Sequence, residues 1–231
     1  ASMLIQGCAS GRQGTIGGLK RVSEPEPDVN LANLDHKAVR SEYQEILKLI
    51  DDQSLKQQIE RRIADVYLLE GENTLSGEPQ SHSTDAPSKS YYNEAIRSYR
   101  EVLEKYPNSP DNDEVLYQLA KAYDLEGEQD EALEMLERLT LGFPDFKHNP
   151  EAYFRIGDIH FNNKNYRDAE KAYLRVIESD YKKLRVNAHY MAGWSLYKQG
   201  MYEEGLNYFF TVLDETLSAS ANLDSLDPSH Q

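Results

Sequence analysis

Few side chains in this sequence stand at spacings that could do covalent chemistry. The 231 residues include one cysteine, Cys8, so an internal disulfide framework is excluded, and nothing has zinc-ligand spacing. There is no glycine loop to cradle a phosphate, no sharp turn presenting a serine nucleophile, and no metal-holding histidine pair. The lone His82 is given no role. Lys and Arg number 25 against 40 Asp and Glu, a formal net charge of -15. The carboxylates are scattered over stretches with helical patterning, which is the ordinary place for solvated charge, and are not paired for acid–base work. So acidic a surface repels phosphate backbones and argues against a nucleic-acid partner. No catalytic group, metal or cofactor is expected, and the reading is of a chain that is not an enzyme. What remains is recognition by side chains on helices, so the helices come next.

The clearest periodicity runs from Asp113 to Asp145. Ala120 is followed twelve positions later by Ala132, and Leu136, Leu139 and Pro144 stand 4, 7 and 12 residues beyond that. Two antiparallel helices can approach closely only where small residues face each other, with large apolar residues one turn away filling the gaps. The spacing recurs. Gly157 and Ala169 are twelve apart, with Tyr153 before them and Tyr173 and Val176 after; Gly193 and Gly205 repeat it, followed by Phe209 and Val212. Upstream, Ala95, Tyr99, Val102 and Pro107 give a second-helix half, whose first half is Ile63, Ala64 and Tyr67. These four copies resemble the tetratricopeptide repeat. The resemblance covers about Leu55 to Leu217 and implies an all-α fold, a right-handed α-solenoid of antiparallel helix pairs.

The expected organisation follows the chain. Residues 1–34 form an N-terminus and flexible tether, and residues 35–217 the array. Within the array a cap helix spans 35–50, followed by repeats at about 55–107, 113–146, 150–183 and 186–217, then a polar tail at 218–231. Near the start, Met3-Leu4-Ile5-Gln6-Gly7-Cys8 is similar to the lipobox of bacterial lipoproteins, where an apolar segment ends in a small residue before a lipidated cysteine. Gln6 departs from that pattern, and the basic and longer apolar regions of a full signal are not in this sequence. By this resemblance Cys8 is the lipid attachment site, and Ala9 beside it implies the outer membrane, facing the periplasm; the alternative is a cytoplasmic adaptor with an incidental thiol. Ser10 to Gly18, with four glycines in nine residues, suits a tether.

Further on, Ser54 and Gln57 are spaced as a capping box. Residues 70–89, about nineteen more than the repeat needs between its helices, are polar and turn-rich and predict an insert. Asn149-Pro150 reads as a helix cap and first position. Lys164 stands where the inter-helix turn usually has glycine. The natural chain is expected to continue with more repeats, since no solvating helix follows the fourth.

In tetratricopeptide arrays the first helix of each pair lines the inner groove. By that resemblance the groove positions are Tyr117, Lys121 and Asp124, then Phe154, Asp158 and Phe161, then Tyr190, Trp194 and Tyr197. Residues four and seven apart share a helix face, so each trio is one stripe. Six of the nine are aromatic. Such a groove would take a protein or peptide segment, with envelope proteins as partners and basic flanks suiting the surrounding acid. A glycan or small ligand stacked on Trp194 and Tyr197 is the other use of the same surface. His160 and His189 fall in packing slots and are read as core histidines.

Overall fold

The computed structural model describes residues 35–76 and 87–226. These form nine α-helices and no strand: α1 (His36–Leu49), α2 (Gln53–Ser76), α3 (Pro87–Lys105), α4 (Asn112–Glu126), α5 (Gln129–Gly142), α6 (Asn149–Asn162), α7 (Tyr166–Ile177), α8 (Lys182–Lys198) and α9 (Tyr202–Leu226). Each helix packs on the next, and α2 also touches α4 and α6 touches α8. Alternate helices that touch must lie on the tighter side of the stack. The first helices of the pairs therefore line the inner face of an all-α superhelix.

The twelve-residue register places the core. Ala64, Ala95, Ala120, Ala132 and Ala169 are all essentially inaccessible to solvent. At Gly157 a Cβ atom would stand 2.5 Å from the Tyr173 ring, and at Gly193 one would stand 2.8 Å from Phe209. In both cases the large residue lies sixteen positions after the small one. Hydroxyls confirm the alignment: Tyr173 donates to Asp158 at 2.7 Å, and Tyr99 donates to Asp65 at 2.7 Å. Each acceptor directly follows the small residue of its own first helix. The inter-helix turns share one backbone geometry, with φ of 93° at Gly127, 63° at Lys164 and 86° at Gly200. Lysine at this left-handed position costs roughly 1–2 kcal/mol against glycine, and its side chain is exposed.

Several local expectations are corrected. Helix α2 is capped by Asp52, whose carboxylate accepts the Leu55 N–H at 2.8 Å, not by a Ser54 box. Gln57 is buried instead and donates to Asn112 Oδ1 at 3.1 Å. Asn149 does not cap α6; its amide donates to the carbonyls of Phe143 and Pro144 at 2.7 and 2.8 Å, clasping the preceding loop. Asn112 clasps Tyr106 in the same way at 2.7 Å.

The helices also reach into both ends of the insert. α2 runs on to Ser76 and α3 starts at Pro87, while residues 77–86 lie outside the described residues. The reason is a second close crossing: a Cβ at Gly71 would sit 2.5 Å from Tyr92, so Gly71 lets the two helices continue together. Likewise α9 continues to Leu226, past the expected start of the polar tail.

Candidate functional site

The nine groove positions fall into two zones with different chemistry. In the first, across α2, α4 and α6, polar side chains bridge neighbouring helices of the inner face. Lys121 pairs with Glu72 at 2.6 Å, Asp124 pairs with Arg155 at 2.8 Å, and Tyr117 donates to Glu151 at 2.9 Å. Burial comes first among the reasons why the Tyr117 hydroxyl is pushed up to about 12, with the Glu151 carboxylate adding to it. Its ring stacks on His148 at 5.3 Å and meets Phe146 at 5.9 Å. Tyr117 thus joins one repeat to the next, with its hydroxyl engaged by Glu151.

Glu151, which sequence reasoning missed, is the hub of this zone. Besides Tyr117, it accepts from Tyr181 at 2.5 Å and meets His148 Nδ1 at 3.0 Å. Burial alone would raise its pKa, but the Tyr181 and Tyr117 hydroxyls and His148 outweigh that and hold it below the usual carboxylate value. Nothing in the sequence marks Glu151, because its three partners come from separate segments. A cleft of about 490 Å³ lies beside it, with Arg155, Lys183 and Leu184 in its lining, none of them singled out by the sequence.

The second zone, on α6 and α8, is open and aromatic. Among the described residues no hydrogen bond or ion pair links α6 directly to α8. Phe154 meets Tyr173 edge-on at 5.4 Å, and Phe161 meets Tyr166 at 5.3 Å, so both are partly spent on packing. On α8, Trp194 sits edge-on between Tyr190 at 6.1 Å and Tyr197 at 5.5 Å, braced from behind by Phe209 at 5.4 Å. Tyr190 and Tyr197 remain 47% exposed. They are the exposed rings among the six aromatic groove positions, although Tyr190 also meets Phe209 at 5.9 Å and Tyr197 meets Tyr202 at 5.1 Å. Asp158 and Phe154 line both the first cleft and a second cavity of about 520 Å³ between α6 and α8.

Other expected residues are placed as follows. His160 is half-buried, but its Nδ1 has no hydrogen-bond partner among the described residues, so it packs without being bonded there. His189 packs on Tyr208 at 5.9 Å, and burial, aided by Arg185 and opposed by Glu215, lowers its pKa. Cys8 lies outside the described residues. Among the described residues no three His, Cys, Asp or Glu side chains cluster as a metal site, and no helix is long and apolar enough to cross a membrane.

Paired helices in one register, stacked with their first members along an inner groove, define an α-solenoid repeat protein. Two family models, both described as tetratricopeptide repeat, match this chain, one at residues 91–148 and the other at 130–181 and 154–221. The chain belongs to the tetratricopeptide repeat family, whose arrays serve as protein-interaction scaffolds. No curated protein matches it by sequence. Among solved structures it is similar to a crystal structure of MamA, with a TM-score of 0.59 and 18% identity over 81% of this chain and 92% of that one. It is also similar to a tetratricopeptide repeat protein from Parabacteroides merdae, with a TM-score of 0.57 and 18% identity over 79% of this chain and 60% of that one. Likenesses this distant establish the fold alone.

Proposed function

We propose that this protein is an envelope scaffold which binds a protein or peptide segment on the α6–α8 part of its inner face. The observation that carries the reading is the Tyr190–Trp194–Tyr197 platform, two of whose rings stay half exposed while Tyr117, Lys121 and Asp124 are cross-bonded to neighbouring helices. Contiguous exposed aromatics are costly to leave in water and mark interfaces. The zone joined by Lys121, Asp124 and Tyr117 sets the curvature of the surface and leaves binding to the C-terminal repeats. The platform would equally stack a sugar or small ligand, but no observation favours that over a peptide.

The test is capture from solubilised envelope by this chain and by a Tyr190→Ser, Tyr197→Ser variant, which keeps the Trp194–Phe209 contact while removing those of Tyr190 with Phe209 and Tyr197 with Tyr202. Circular dichroism melts of the two proteins should agree within a few degrees. A specific protein retained by the first and reduced at least tenfold by the second is the expected result. Equal retention by both would refute the groove as the site.

The proposed anchor is a lipid on Cys8 at the bacterial outer membrane, supported by the lipobox-like Leu4 to Cys8 and the glycine-rich stretch after it. In cells making the natural precursor, intact-mass measurement should find acyl chains on the mature protein, and Cys8→Ser should abolish them and release the protein from the membrane fraction. Unacylated protein in the soluble fraction for both would leave the cytoplasmic adaptor.

A further inference from the structure

The cavity between α6 and α8 has walls of Phe154, Val186, Tyr190 and Met191, and Asp158 is its one charged lining residue among the described residues. The Asp158 carboxylate is half-buried, with one protein hydrogen bond. Oδ1 accepts the Tyr173 hydroxyl at 2.7 Å, and among the described residues no second hydrogen bond reaches the group. Arg155, the nearest cation on the same helix, is held 2.8 Å from Asp124 instead. Burial, with Asp124 adding like charge, holds Asp158 above the usual carboxylate range despite Tyr173 and Arg155. An anion half withdrawn from water beside aromatic walls suits a cation delivered with apolar stem attached.

Resting on the groove reading above, we infer that this cavity takes a lysine or arginine side chain of the bound segment, its methylenes on Phe154 and Tyr190 and its charge on Asp158. Long basic side chains lay their stems along apolar surface while the head finds a polar partner. An ammonium or guanidinium beside tyrosine and phenylalanine rings also gains cation–π attraction. A charge-assisted hydrogen bond to Asp158 would then fix the register of the whole segment. The net charge of -15 draws basic segments toward the surface, while Asp158 is the residue that selects a position within one.

The probe is a random dodecapeptide phage library panned on the protein, on Asp158→Asn, and on the Tyr190→Ser, Tyr197→Ser variant. Asparagine keeps an oxygen for the Tyr173 hydroxyl, so the fold is retained; thermal melts check this. Peptides selected by the unaltered chain should carry Lys or Arg at one fixed position next to an apolar residue. The tightest of them should bind Asp158→Asn about tenfold more weakly, the usual weight of a charged hydrogen bond. Norleucine in place of its basic residue should cost the unaltered protein at least that factor, and cost Asp158→Asn only the smaller cation–π part. Selected peptides that depend on Tyr190 and Tyr197 but show no basic position, or that bind Asp158→Asn equally, overturn the inference and leave the groove standing. Peptides indifferent to Tyr190 and Tyr197, or none selected at all, overturn both.

Discussion

Tyr173→Ala is expected to lower the unfolding free energy by about 3–5 kcal/mol, the range for truncating a fully buried aromatic. The ring is completely buried and lies over Gly157 with no room for even one added methyl group. Nothing nearby can slide in to fill the void, because the glycine it covers has no side chain and Phe154 meets the ring edge-on from the other side. The loss would not stay local, since each repeat of a solenoid is held by its neighbours. Tyr173→Phe separates packing from hydrogen bonding: it keeps the ring, removes the donor to Asp158, and should cost only about 1–2 kcal/mol. Urea unfolding of the three proteins at one pH measures both differences. An alanine cost below about 1 kcal/mol would mean that the α6–α7 crossing is far looser than the geometry shows.

The same crossing explains how much was legible in advance. Small residues twelve apart, with a large one four further on, specify a helix pair by volume alone, and so the register from Ala64 to Val212 could be read directly from the sequence. The extension of α2 and α3 could not. Gly71 looks like a turn residue until Tyr92 is found lying across it, and that contact depends on tertiary approach. Asn149 misleads for a related reason: its side chain can cap a helix, yet it turns back six residues to hold the previous loop, as Asn112 also does. The groove was half legible. Resemblance assigns the groove positions, but whether a tyrosine there is free or bonded depends on the next repeat: Tyr117 meets Glu151, Phe146 and His148, while Tyr190 stays 47% exposed.

Glu151→Gln is expected to weaken the protein by about 2 kcal/mol at neutral pH, as hydrogen bonds to a charged group become bonds to a neutral one. The carboxylate ties α4 through Tyr117 to α6, and α6 through Tyr181 to the loop entering α8, so three repeats meet on one side chain. Its side chain is 25% exposed, which keeps the figure at the low end for two such bonds. The sign of the pH dependence follows from the lowered pKa. A carboxylate whose folded pKa lies below its unfolded value of 4.5 adds stability that is complete above that value. This stability is lost as pH falls through the folded pKa. The gap between the two proteins should therefore be present in full above pH 4.5 and close as pH falls below that value. Denaturant midpoints across that range give the curve. A gap that persists undiminished in acid would show that Glu151 acts by shape and not by charge, and the polar stitching of the first groove zone would then have to be reassigned to Lys121 and Asp124.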